Sequence, residues 1–341
     1  MPCQVRTEKR ETTTGLDGTV WVLEDDAGGR AEVWPAFGFN CYRWRTLARG
    51  ELLYADPQLF QGSPPTRSGI PILFPFPNRI RAGRFHWEGK DYQLPLNDPA
   101  GKNAIHGFAC RRPWRVVDQG AAGDSAWVTG EFRGSVDAPD ARALWPADYQ
   151  IRVTYRLSMD RLRIEAVIAN PDQAALPFGL GYHPYFALPE ATGEEDIGYW
   201  LQVPARSYWE LQDSLPTGEC RPVDAARDLN RLRRCRELKL DDILTDLVDT
   251  QFLAPQGLGL RGVLQDEFKR NVLRLFVSPE FRELVVYTPP HGRAIALEPY
   301  TCVTDAINLQ QRGVDAGLLV LPPGEQWSAV VELSTVGGTQ R

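Results

Sequence analysis

The chain is poor in the residues that build metal centres and redox sites. It has four histidines among 341 residues, and its six cysteines, Cys3, Cys41, Cys110, Cys220, Cys235 and Cys302, form no CxxC pair and have no histidine at metal-ligand spacing. No metal or dithiol chemistry is therefore expected, and the cysteines read as reduced thiols of a cytoplasmic protein. There is no glycine-rich phosphate loop. No basic run stands apart from acidic neighbours, and 38 Lys and Arg against 44 Asp and Glu give a net charge of -6, so nucleic acid is not an expected partner. The longest apolar stretch, Ile70–Pro77, is too short and too broken by proline to span a bilayer, and the opening MPCQVRTEKRETTTG carries no apolar signal segment. Neither repeats nor a break in composition divide the chain, which reads as one domain over residues 1–341.

What is present is punctuation and alternation. Thirty glycines and 27 prolines, about one residue in six, suit short strands joined by turns. Period-two or β-branched segments at 19–24, 31–35, 39–45, 126–133, 150–158, 161–170, 283–289 and 328–336 read as strands. RFHWEGKDYQL and RVTYRLSMDRLRIEAVI read as hairpins turning at Glu88–Lys90 and Met159–Arg161. Helix is expected only over Asp224–Leu238 and Asp241–Val248, each with an aspartate able to cap it. So many strands, paired with sequence neighbours, predict an all-β fold, a large antiparallel β-sandwich.

Few residues carry chemistry. His106 (NAIHGFACRRPW) and His183 (GLGYHPYFALP) are flanked by glycine and aromatics, where backbone and a flat ligand approach closely. Each is equally compatible with a buried core histidine. His86 and His291 read as ordinary strand and turn residues. Glu298 follows the apolar run Ala294–Leu297 and precedes a proline, so it is either a solvated strand end or a carboxylate held in a pocket. Asp241 and Asp242 serve equally as helix caps, and Arg79 beside Asn78 either holds ligand oxygens or closes a turn.

Taken in order, PFPNRIRAGRFHWEGKDYQLPLND, NAIHG, GYHPYFAL, LPTGE, LDDILTDL and LEPYTCVTDAINL resemble the aldose 1-epimerase family, the sugar mutarotases, over roughly residues 30–335. The resemblance implies a galactose mutarotase-like supersandwich, no metal or cofactor, and a cleft for a small-molecule sugar such as free glucose or galactose. It places Glu298 as base at the C1 hydroxyl, protonated His183 as acid at the ring oxygen, and His106 beside that oxygen. Arg79, with Asn78, and Asp241 would hold ring hydroxyls, with Asp242 as a competing register. Phe108, Tyr182, Tyr185 and Phe186 are candidates for a stacking face. The HGFA start is similar to that of hexose-6-phosphate 1-epimerases, in which Arg81, Arg84, Arg111 and Arg112 would hold a phosphate. A carbohydrate-binding protein without catalysis is the other alternative. Glycoside hydrolysis by an Asp241–Glu298 pair would leave both histidines without a purpose.

Overall fold

Strands that alternate apolar and polar must bury one face, and here they do so against each other. The computed structural model describes residues 2–47, 50–188, 198–249, 257–268 and 272–335. Its largest sheet has nine strands in the order 115–122, 125–133, 150–158, 161–169, 326–334, 272–277, 259–266, 199–202 and 233–234. An eight-stranded sheet runs 215–222, 205–212, 241–247, 283–287, 294–300, 181–182 and 72–73, with Tyr185–Ala187 also paired to Ala294–Tyr300. A five-stranded sheet comes from residues 4–51. The named ladders are antiparallel, as sequence-adjacent pairing requires.

Parity divides each strand between interior and exterior. In the nine-stranded sheet Ile151, Val153, Tyr155 and Leu157 point inward with Ile164, Ala166, Val331 and Leu333, and meet Leu244, Val286, Ile295 and Leu297 from the eight-stranded sheet in one apolar cluster. The other face of the eight-stranded sheet is partly covered by a second cluster, in which Ile243, Val285, Trp209 and Tyr300 pack against the short helix Ala306–Gln311. The rest of that face is open, and it carries the residues singled out above.

The expected strands are found within a residue or two, although Val336, the last of them, lies outside the described residues. The Arg84–Trp87 and Lys90–Gln93 hairpin turns at Glu88 and Gly89, both at positive φ (45° and 80°), the geometry whose twist matches that of paired strands. Both expected helices are absent. Asp241–Leu247 is a central strand, because its 243–245 segment is buried between two paired neighbours, and tertiary burial outweighs a local cap signal. Residues 224–238 form turns, a two-residue strand and a single 3-10 turn around buried Leu229 and Cys235. No helix among the described residues is long and apolar enough to cross a membrane.

One buried carboxylate belongs to the packing of this sheet. Glu283 is fully buried, accepts a hydrogen bond from Trp209 Nε1 (3.0 Å) and lies 3.4 Å from Arg282 Nε. Burial pushes its pKa up to about 7 against the opposing pull of Thr245, Trp209 and Arg282. The folded state thus holds a proton that the unfolded chain releases near the ordinary carboxylate pKa, and stability falls as pH rises between those two values. Comparing Glu283→Gln with the parent by denaturant unfolding at several pH values, the difference should grow in the variant's favour by on the order of 3 kcal/mol from acid to neutral pH. A difference independent of pH would show that Glu283 is ionised throughout.

Candidate active site

Three paired strands form the floor of the open face. Asp241 pairs with Tyr287, Tyr287 with Ala296, Val285 with Glu298, and Glu283 with Tyr300. Directly opposed residues project to one side of a sheet, so Asp241, Tyr287, Glu298 and Tyr300 share the outer side while Leu244, Val286 and Leu297 enter the core. Asp242 has the opposite parity from Asp241 and is bound by Arg227, Nε to Oδ1 at 2.6 Å. Parity therefore puts Asp241, not Asp242, on the cleft side. Solvent reaches Asp241, yet the packed atoms around its carboxyl and the charge of Asp242 raise its pKa, against the pull of Arg79.

Glu298 lies deeper and is 2% exposed. Its Oε2 accepts a short hydrogen bond from the Tyr300 hydroxyl, and its Oε1 lies 3.2 Å from His183 Nε2. Burial lifts its pKa well above the usual carboxylate value; the Tyr300 bond acts against this, the charge of Asp241 adds to it, and Arg79 opposes it. His183 is held by its backbone N–H, which donates to the Pro71 carbonyl (3.1 Å), and by Tyr185, whose ring stacks on the imidazole at 4.5 Å and 12°. Burial lowers the His183 pKa to about 3. Burial thus opposes the imidazolium form, and the Glu298 carboxyl at 3.2 Å is the neighbour able to offset that cost.

His106 and Arg79 arrive together. Arg79–Ile80 pairs with Ala104–Ile105, Ile105 opposite Arg79, and the His106 N–H donates to the Asn78 carbonyl (2.8 Å). The His106 ring meets His183 edge-on at 5.8 Å, and its pKa is pushed well below the usual value by burial, then by the neighbouring His183, Arg111 and Arg79. Arg79 Nη1 donates to Asn78 Oδ1 (3.0 Å), and its Nε lies 3.7 Å from Asp98, a carboxylate held by Asn103 and Lys102. The Arg79 charge is felt by Glu298, Asp241 and His106 alike. All six candidates, Asn78, Arg79, His106, His183, Asp241 and Glu298, thus border one region.

Other expectations are redistributed. Tyr182 and Phe186 are core residues, and Phe108 meets Phe76 at the wall of a separate cavity. That cavity, about 380 Å³, takes Arg111 and Arg112 as lining, the latter paired with Asp140 at 2.6 Å. Arg81 is 3.6 Å from Asp305, and Arg84 bonds Gln93, so the four arginines do not share one cradle. Beyond Asp241 and Tyr287 a cleft of about 930 Å³ continues to His291, stacked on Tyr54, and Arg293. Sequence reasoning missed Tyr300, Tyr287 and Arg67, the last of which lowers the pKa of Tyr185 and Tyr287 by its charge. Tyr300 was readable, being two residues from Glu298 on a strand. Tyr287 depends on register and Arg67 on loop closure, neither of which leaves a local pattern.

Comparison with known proteins identifies the family and the fold. The family model described as aldose 1-epimerase matches residues 53–334. The uncharacterised protein YihR of Escherichia coli is 27% identical over 260 residues, 74% of this chain and 75% of its own. Galactose mutarotase of Rattus norvegicus is 30% identical over 160 residues, which span 45% of this chain and only 43% of that protein. A galactose mutarotase-like protein from Clostridium acetobutylicum superimposes with a TM-score of 0.83 at 23% identity, covering 98% of this chain and 99% of that one. At 23% identity that likeness speaks for the fold.

The glycine after His106 has a purpose other than admitting a ligand. Gly107 has φ 63°, and a Cβ there would lie 2.2 Å from the Phe74 carbonyl oxygen. Gly107→Ala is expected to cost at least about 2 kcal/mol of stability in denaturant unfolding, from backbone strain plus that clash. An unchanged midpoint would mean that the Phe74 segment yields freely.

Proposed function

Because this chain belongs to the aldose 1-epimerase family, we propose that it interconverts the α and β anomers of free aldohexoses such as glucose or galactose. The observation that carries the reading is the buried contact between Glu298 Oε1 and His183 Nε2 at 3.2 Å, a carboxyl and an imidazole within reach of one proton. Anomers exchange when the cyclic hemiacetal opens, turns about C1–C2 and closes on the other face of the aldehyde. Opening removes a proton from the C1 hydroxyl and supplies one to the ring oxygen, which a positioned base and acid accomplish together.

In this reading Glu298 is the base, His183 the acid, and His106 lies beside the ring oxygen. Arg79, backed by Asn78 and Asp98, and Asp241 hold ring hydroxyls. Roles reverse on closure. The reactive form, carboxylate with imidazolium, contains as many protons as a protonated Glu298 with a neutral His183. The two forms differ only in which member of the pair holds one proton. Arg81, Arg84 and Arg112 are engaged by Asp305, Gln93 and Asp140, which argues against a shared 6-phosphate cradle. Against a binding protein without catalysis stands the direct contact of a carboxyl with an imidazole, two groups able to pass a proton.

Polarimetry or NMR anomer exchange on fresh α-D-glucose and α-D-galactose tests the reading directly. Glu298→Gln and His183→Asn should each lower kcat by about 10²-fold or more with the fold intact, and the double variant should lose little more, since either change disables a shared step. A Glu298→Gln protein with near-parental kcat would reject the assignment.

The pH profile follows from the pair as a unit. As pH rises through the elevated Glu298 pKa the pair loses the proton that must reach the ring oxygen, and as pH falls toward about 3 it gains a second and loses its base. The facing groups are Asp241, Arg79, His106, Tyr185, Tyr287 and Tyr300. The kcat plateau should extend well to the acid side of the ordinary histidine pKa. An acid limb centred on that ordinary value would place a solvent-titrated imidazole in control.

A further inference from the structure

We infer that Tyr185 is a positioning residue for the proposed reaction: by presenting a lone pair to His183 Nε2, it keeps a proton on that nitrogen. The inference rests on the anomerase reading for its kinetic consequence, but its structural content stands alone. The Tyr185 hydroxyl lies 2.6 Å from the carbonyl oxygen of Thr66 and 3.2 Å from His183 Nε2. A carbonyl only accepts, so the single hydroxyl proton goes to Thr66, and toward the imidazole the tyrosine can only accept. Nε2 must then be a donor. A bare Nε2 would set its lone pair against that of Tyr185.

The surroundings agree with this placement. Glu298 Oε1, the other neighbour of Nε2 at 3.2 Å, is also able to accept from it. His183 Nδ1 is buried without a hydrogen-bond partner, a position that suits a bare ring nitrogen better than an orphaned N–H. Burial raises the Tyr185 pKa well above the ordinary phenol value, which keeps its proton available for Thr66. The alternative in which Glu298 carries the proton and donates it to a bare Nε2 is the unreactive form of the catalytic pair. Tyr185 disfavours that form relative to every form in which Nε2 is protonated.

The experiment is nitrogen NMR of the full-length protein, sugar-free near neutral pH, with His183 assigned by His183→Asn. The parent should show His183 with its proton on Nε2, and Tyr185→Phe, which retains the stacked ring, should move population toward Nδ1. With active parent enzyme, Tyr185→Phe should also lower kcat by about tenfold while KM stays within a factor of about two, as expected for one lost hydrogen bond acting through the acid. An Nδ1–H tautomer in the parent overturns the inference, as does an unchanged Nε2–H tautomer or an unchanged kcat in the variant. A parent that fails to mutarotate aldohexoses refutes the proposed function, while the tautomer measurement still decides the role of Tyr185.

Discussion

Between residues 283 and 300 the chain crosses the eight-stranded sheet twice, and the pairing of Val285 with Glu298 fixes which side chains enter the core and which meet the cleft. A slip of one residue would send Glu298 and Tyr300 into the apolar cluster and turn Leu297 outward. The cost of burying Leu284, Val286, Ile295 and Leu297 is thus what holds the proposed base in position. The geometry of the proposed site is a by-product of register, and register is enforced by the hydrophobic effect acting on the other face.

The same sheet face carries two buried glutamates with different surroundings. Glu283 is sealed by Trp209 and Arg282 beneath the second apolar cluster. Glu298, one strand away, meets Tyr300, His183 and the far field of Arg79 and Asp241. Burial raises the pKa of both, so a shifted pKa alone does not separate a packed carboxyl from a reactive one. The separation comes from partners: Glu283 meets an indole and a guanidinium that have no proton to exchange, whereas Glu298 meets an imidazole able to give or take one.

Much of this was legible in the sequence, and the parts that were not share a cause. Strands such as 150–158 and 161–169 alternate so cleanly that one side of a sheet can be read from them directly. KLDDILTDL was misread because an aspartate before an apolar run looks the same ahead of a helix and at the entrance to a central strand; only its neighbours at 205–212 and 283–287 decide. His106, His183 and Glu298 were visible through the family resemblance, and local composition left each of them open. Tyr287 meets Asp241 through strand pairing, and Arg67 acts on Tyr185 and Tyr287 from a segment more than a hundred residues away, so no local window contains that information.

The bond from Tyr185 to the Thr66 carbonyl joins the catalytic strand to a segment 119 positions earlier, in the turn Pro65–Arg67. That turn contains none of the residues proposed to hold the sugar, yet its backbone position sets the distance over which the tyrosine proton is shared. Drift in the composition of residues 63–68 would therefore alter the strength of the acid while leaving Arg79 and Asp241 untouched. If the proposed reaction is the right one, such an arrangement gives the rate of ring opening and the choice of sugar separate structural supports.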